Sequence, residues 1–311
     1  MLDTRRLTIF CVVAAEGSLT AAATRLHFTQ SAVSQQMAIL EREVGTPLLE
    51  RLPRGVRLTS AGAVLAERAG AVLGELSAIE RELRRLGDRP EPVTLGTFST
   101  AGAHLIPLVV SAYRERHDDT RLVVVPSQPD DVAVQLTEGS VDVALLWDYD
   151  FAPRSMPRLH REHLLDDPLY VLLPTGHPLA GPETMPLRLA DLAHEAWIAR
   201  AHKAPYDQAL ECMGRLAGFE PDVAFRTPDY ESVQGLVAAG IGVGLVPRLS
   251  LTARRPDVVA RPVHQPAFVR HIDAVTRPDG PADPAVARLL AVLHEIAATV
   301  SARAVPLAAV S

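Results

Sequence analysis

A chain of 311 residues is long enough for two domains, and 48% hydrophobic content excludes bulk disorder. The net charge of −6 excludes indiscriminate coating of nucleic acid, but the charge is uneven: residues 1–58 hold seven Arg against five acids, so the acidic excess lies beyond them. Two cysteines, Cys11 and Cys212, make no disulfide framework and point to a reducing, cytoplasmic setting, and no apolar run is read as approaching the ~20 residues of a membrane span.

From Arg5 to Ala15 the stripe Leu7, Phe10, Cys11 and Ala14 predicts a helix that stops at Gly17. Ser18 suits the N-cap of a second, alanine-rich helix with Leu19, Ala22, Ala23 and Leu26 on its buried side. After a break at His27 and Phe28, Thr29 caps a helix to Val44, on which Val33, Met37, Leu40 and Val44 form one apolar stripe. Ser31, Gln35, Ala38 and Arg42 form a second stripe on the other side, with Gln30 and Ser34 beside it. Its N-terminal half is slim, polar and uncharged, which fits a DNA major groove. There Gln offers the donor and acceptor pair that reads adenine, and Ser serves bases or phosphates. An ordinary amphipathic helix with a solvated face has the same periodicity, so the neighbours decide. Two short helices, a tight turn and such a helix make the helix-turn-helix layout. Leu48–Leu52 and Val56–Thr59, around Pro53-Arg54-Gly55, predict a hairpin whose Arg51, Arg54 and Arg57 would fix register on phosphates.

With these residues in place, the N-terminus resembles that of the LysR-type transcriptional regulators. The likeness runs through Ala21-Ala22-Ala23, Arg25-Leu26, Thr29-Gln30, Ala32-Val33-Ser34-Gln35-Gln36, Leu40-Glu41, Gly45, Leu48, Arg51, Arg54-Gly55-Val56, Leu58-Thr59 and Ala61-Gly62. Ser31 stands where the family usually has Pro, and Leu49 where it usually has Phe. The resemblance implies a winged helix-turn-helix that binds double-stranded DNA through Gln30, Ser31, Ser34, Gln35, Arg51, Arg54 and Arg57.

Thr59 then caps a helix running to about Gly87, with Leu65, Ala69, Val72, Leu76, Ile79, Leu83 and Leu86 at heptad spacing. Such a seam predicts a dimerising linker. Asp88-Arg89-Pro90-Glu91-Pro92 is a polar, proline-punctuated boundary. Beyond it strands and helices alternate, which argues an α/β body with parallel strands.

The fold class expected is an N-terminal all-α winged helix-turn-helix with a long linker helix, then an α/β two-lobed, periplasmic-binding-protein-like effector domain. The bounds read are 1–59 for DNA binding, 60–87 for the linker, 92–300 for the effector domain and 301–311 for a frayed tail. The resemblance alone divides the effector domain, into lobe one (92–164 and 268–300) and lobe two (165–267). It also implies a homodimer and a dimer of dimers, an interrupted inverted repeat as target, RNA polymerase as partner if the protein activates, and no membrane.

In α/β sheets, ligands lie beyond the carboxyl ends of strands. Thr97, Phe98, Ser99 and Thr100 lie at one such end, Ser127 at the next, Trp147 and Asp148 at the third, and Arg200, His202, Thr227, Val246 and Pro247 at later ones. Thr97-Phe98-Ser99-Thr100 is equally readable as a helix cap, and Trp147 as core. The resemblance places this set in the inter-lobe cleft that takes a small-molecule effector, with Arg200 suited to an anionic and Asp148 to a cationic group. An enzyme is not indicated. Gly240-Ile241-Gly242-Val243-Gly244 runs from helix to strand, the reverse of a dinucleotide loop. His160 and His163 lack a metal-binding frame, so neither metal nor cofactor is expected. The competing class is a small-molecule binding module whose N-terminal helices serve protein association.

Overall fold

Capping side chains and left-handed glycines set the first three helices. The computed structural model describes the chain except residues 1, 27, 53–54, 86–91, 118–119, 152, 157–158, 183–184, 201–208, 265–268 and 303–311, and except the side chains of 77–78 and 80–85. Arg54, His202, Leu86, the Leu83 side chain and most of the expected frayed tail therefore lie outside the described residues. By contacts the chain divides into one unit of Met1–Thr94, Asp119–Arg121 and Asp130–Asp142, and a second of Leu95–Asp118, Leu122–Pro129 and Val143–Ser311.

In the first unit, α1 (Thr4–Glu16) starts at Asp3, whose side chain accepts from the Arg5 N–H, and stops at Gly17, φ 60°. Ser18 caps α2 (Leu19–Arg25), Thr29 caps α3 (Gln30–Val44), and Gly45 ends α3 at φ 78°. Leu7, Phe10, Val13, Ala22, Val33, Met37 and Leu40 close one apolar core beneath the three helices. Val44, expected on the buried stripe, is exposed in the last turn of α3. Cys11 is half-buried against that core, and burial, with Glu138 adding to it, pushes its thiol up to about 11. It is a packing residue with little thiolate to react.

The hairpin pairs β1 (Leu49–Leu52) with β2 (Gly55–Leu58), each strand starting one residue away from its expected place. Gly55 is obligatory: φ is 109°, and a Cβ would stand 2.4 Å from the Gly17 carbonyl oxygen. That carbonyl accepts from the Val56 N–H at 2.8 Å, which ties the wing to the end of α1. On the other side, Glu41 of α3 accepts from the N–H groups of Leu48 and Leu49 at 2.8 and 3.1 Å. Replacing Glu41 by Ala removes a charged acceptor from two backbone donors and should cost about 1.5–3 kcal/mol. Urea unfolding reads this as a lower midpoint; an unchanged midpoint would mean that water serves these donors as well.

α4 (Ser60–Arg85) follows, its first turn held by Thr59, whose hydroxyl accepts from Gly62 N. Leu65 and Ala69 of the expected seam pack into the helix-turn-helix core, whereas Val72, Leu76 and Ile79 are exposed. Within the same unit α4 lies against α7 (Val132–Glu138), and Arg25 pairs with both Glu16 and Asp131.

The sheet runs in the order β4-β3-β5-β11-β6-β9-β7-β8, with β10 also on β6. These strands are β3 (Val93–Thr97), β4 (Leu122–Pro126), β5 (Val143–Tyr149), β6 (His160–Pro174), β7 (Ala196–Arg200), β8 (Asp222–Thr227), β9 (Val243–Pro247), β10 (Val258–Pro262) and β11 (Val269–Thr276). The expectation of parallel strands holds for β3–β5, β7–β8 and β7–β9, but β6, β10 and β11 pair antiparallel. Two helices follow β3, α5 (Ser99–His104) and α6 (Ile106–Arg116), broken at Leu105 before Pro107. The remaining helices are α8 (Ala209–Leu216), α9 (Tyr230–Ala238) and α10 (Pro284–Ala302).

β6 is 15 residues long, and its first half already lies in the sheet. That half pairs with β11, and its second half with β9 and β10, so one strand runs through both lobes. α10 departs from the expectation that no apolar run approaches the length of a membrane span. The 19 residues of α10 are apolar enough, by length and composition, to cross a membrane. Here one face, with Val286, Leu289, Leu293 and Ala297, is buried, and the helix packs on α6 and β6.

Candidate nucleic-acid interface and ligand crevice

On α3 the core takes Val33, Met37 and Leu40 and leaves Gln30, Ser31, Gln35 and Ala38 exposed, with Ser34 half-buried at the edge. The Thr29 hydroxyl accepts from Ala32 N at 3.2 Å and lies 3.0 Å from the Ser31 hydroxyl, which fixes the start of this face. Gln36 accepts from Arg6, which also pairs with Glu43. Gln36 is thus engaged with α1, and Gln30 and Gln35 remain the two amides of the exposed stripe. In the wing Arg51 is exposed, while Arg57 is clamped to its cross-strand neighbour Glu50 at 2.6 and 3.1 Å. Both partners of that pair are well exposed, so a phosphate can displace Glu50 at little cost.

In the second unit the carboxyl ends of the strands converge on a buried guanidinium. Arg270 on β11 is 1% exposed and donates to Asp167 on β6, itself fully buried, at 3.0 and 2.5 Å. Its other partner is the Thr100 hydroxyl at 3.0 Å. The rings of Phe98 and Trp147 stand 5.2 and 5.7 Å from the guanidinium carbon, and Asp167 also accepts from Leu249 N at 2.9 Å. Desolvation alone would lower the pKa of Arg270, but Asp167 outweighs it and holds the guanidinium charged. Burial, with Tyr230 adding to it, holds the Tyr149 phenol well above its ordinary pKa, so Tyr149 stays a neutral donor. Farther along, Arg200 lies over the Tyr230 ring at 5.2 Å and donates through Nε to the Pro228 carbonyl at 3.2 Å.

Of the expected ligand residues, Phe98, Thr100 and Trp147 meet around Arg270. Thr97 is buried just before them, its carbonyl bonded to the N–H of the buried Ser127, and Ser99 is exposed. In the second lobe, Thr227 spends its hydroxyl on the Asp229 carbonyl, and Val246 and Pro247 are buried in β9 opposite Tyr170 and Leu169. Asp148 does not join the set. Successive residues of a strand face opposite sides, and Asp148 lies across β5 from Trp147. There it accepts from Arg161 at 3.0 Å and Arg154 N at 3.1 Å, so the expected pairing with a cationic ligand is not supported. The Gly-rich run behaves as read: it leaves α9 and enters β9, and a Cβ on Gly242 would stand 2.3 Å from the Ala196 carbonyl oxygen.

Residues 4–63 match the family described as bacterial regulatory helix-turn-helix protein, lysR family, and residues 87–298 match the LysR substrate binding domain. The chain belongs to the LysR family of transcriptional regulators. It is a DNA-binding transcriptional regulator with an effector-binding domain, not an enzyme. The HTH-type transcriptional regulator AlsR of Bacillus subtilis (strain 168) is 30% identical over 267 residues, 85% of this chain and 86% of AlsR. The DNA-binding transcriptional dual regulator OxyR of Escherichia coli (strain K12) is 28% identical over 284 residues, 90% and 91% of the two chains. Full-length CbnR in complex with its target DNA superposes with a TM-score of 0.54 at 25% identity, covering 95% of this chain and all of that one.

In this LysR-type regulator the pair at the centre of the cluster was not legible in the sequence. Arg270 and Asp167 are not among the expected ligand residues, and only the long-range register of β6 with β11 sets them opposite one another. A charged pair inside VRHIDAVT and HLLDDPLYVLLP was the available signal, since an ion within a buried strand needs a partner.

Proposed function

We propose that this LysR-type regulator binds an interrupted inverted repeat as a dimer or a dimer of dimers, and that a small molecule in the crevice changes its arrangement on DNA. The observation that carries this reading is the exposed stripe Gln30, Ser31, Gln35 and Ala38 on a helix whose opposite face is locked into the core. Gln30, Ser31, Ser34 and Gln35 serve bases and the adjacent backbone, Arg51, Arg54 and Arg57 serve phosphates, and RNA polymerase is the further partner if the protein activates. As a regulator of DNA it works in the cytoplasm. The effector-site reading keeps Thr97, Phe98, Ser99, Thr100, Ser127, Trp147, Arg200, His202, Thr227, Val246 and Pro247, with an anionic group on Arg200. Among the described residues only the Nε of that guanidinium is used, by the Pro228 carbonyl. A ligand acts as a switch only if it binds the two arrangements unequally.

The test is retention of the purified protein on the DNA flanking its own gene, across a salt series, with scrambled duplex as control. Gln30→Ala should lose about 1–3 kcal/mol of discrimination at the base it reads. Arg54→Ala should weaken binding evenly across sequences and reduce the salt slope by about 1. No retention on any duplex at low salt would end the interface reading in favour of a binding module. If Arg54→Ala altered sequence preference and left the salt slope alone, the wing would have the wrong role.

A further inference from the structure

The face of β6 and β11 turned away from Arg270 and Asp167 carries a second cluster. Here His271 is paired with Asp166, and His163 with Asp273. His163 and Asp166 are three residues apart and would lie on opposite faces of a regular strand. The β-bulge opposite Ile272 and Asp273 brings them to the same one. Asp166 Oδ1 then stands 2.8 Å from His271 Nδ1 and 3.3 Å from His163 Nε2. Behind each imidazole is another carboxylate: Asp273 Oδ1 is 3.0 Å from His163 Nδ1, and Asp150 Oδ1 is 3.0 Å from His271 Nε2.

We propose that His163 Nε2, His271 Nδ1 and Asp166 Oδ1 form a binding site for a divalent transition metal ion of the Zn2+ class. These three donor atoms lie within 4.8 Å of one another. A tetrahedral ion with bonds of about 2.0–2.2 Å sets its donors about 3.3 Å apart, so small rotations close the site. Two imidazoles and one carboxylate select Zn2+, Co2+, Ni2+ or Fe2+ over Mg2+ and Ca2+, which prefer oxygen alone.

Proton accounting supports a cation here. Every ring nitrogen of both histidines faces a carboxylate oxygen. A neutral imidazole has one N–H, so it can donate to only one of its two carboxylates. With the outer N–H given to Asp273 or Asp150, the inner nitrogen turns a lone pair toward Asp166, and a metal ion between them converts that repulsion into two bonds. A carboxylate behind a ligating imidazole is also the arrangement that fixes its tautomer and raises its basicity. Arg161 is held by Asp148 and Asp273, and Arg248 reaches the Asp166 backbone carbonyl at 3.4 Å. The site is open to solvent, with His163 and Asp166 more than half exposed and His271 28% exposed, so an ion can enter without unfolding. It lies just ahead of Pro168, where β6 passes from β11 to β9, so an occupied site stiffens the strand common to both lobes.

The test uses tag-free, full-length protein stripped by a chelator, titrated with Co2+ followed by visible absorption and with Zn2+ in competition. One equivalent per chain is expected, with the absorption of four-coordinate Co2+. His163→Ala, His271→Ala and Asp166→Ala should each weaken binding at least about tenfold. His160→Ala, whose imidazole meets Glu162, should bind as the parent does. Zn2+ should raise the melting temperature of the parent and of His160→Ala but not of the other three, whose metal-free melting curves report intact folding. No saturable binding, or binding that survives His163→Ala and His271→Ala together, would overturn the site and leave a hydrogen-bonded network of imidazolium and carboxylate.

Discussion

Replacing Asp167 by Ala is expected to cost about 3–5 kcal/mol of stability, because it leaves the Arg270 charge buried without a counter-ion. Thr100 and the rings of Phe98 and Trp147 remain around the guanidinium, but a hydroxyl and two aromatic faces do not neutralise it. The melting temperature should fall by roughly 10 °C for a body of this size. The double variant Asp167→Leu, Arg270→Met tests the cause: removing both charges should recover most of the loss, since a buried pair is worth little more than well-packed apolar side chains. Additive losses in the double variant would place the cost in packing or in the Leu249 N–H that Asp167 also serves, and the ion-pair account would fall.

The reach of the sequence follows the range of the interactions that set each element. Asp3, Ser18 and Thr29 act within three residues, and each caps the helix that follows it. The recognition stripe was legible for the same reason: Val33, Met37 and Leu40 define the buried side by local periodicity, and the exposed side follows. The cluster around Arg270 was legible at its edge and not at its centre. Phe98, Thr100 and Trp147 sit at strand ends, which alternation predicts, but Arg270 and Asp167 meet only through pairing of strands about a hundred residues apart in sequence. The same limit hid the partners of Asp148. Asp148 follows Trp147 directly, and a strand places neighbours on opposite faces, so proximity in sequence meant separation in space. It also explains why His160 and His163 gave no metal signal. The fellow ligand of His163 on β11 is remote in sequence, and Asp166 reaches the same face only through a bulge that no local pattern announces.

Charging the outer half of the linker should separate the subunits. α4 has 26 residues, about 39 Å of helix at 1.5 Å per residue. Leu65 and Ala69 are covered by the helix-turn-helix core of the same chain, but Val72, Leu76 and Ile79, at the following heptad positions, are 51%, 39% and 45% exposed. Three large aliphatic side chains at spacings of four and three have no reason to face water unless another helix covers them. Val72→Asp with Leu76→Asp places two carboxylates in that seam, and sedimentation should show the mass of one chain where the parent shows two or four. A single half-site contact then replaces a linked pair, so affinity for an inverted repeat should drop by about 10²–10⁴ while affinity for one half-site stays the same. Ala69→Asp is the contrasting substitution: it charges the core of its own domain and should unfold the helix-turn-helix instead of freeing it. If the Val72→Asp, Leu76→Asp protein kept the parent's mass and DNA affinity, the interface would lie on another face of the chain, and the exposed seam of α4 would need a different partner.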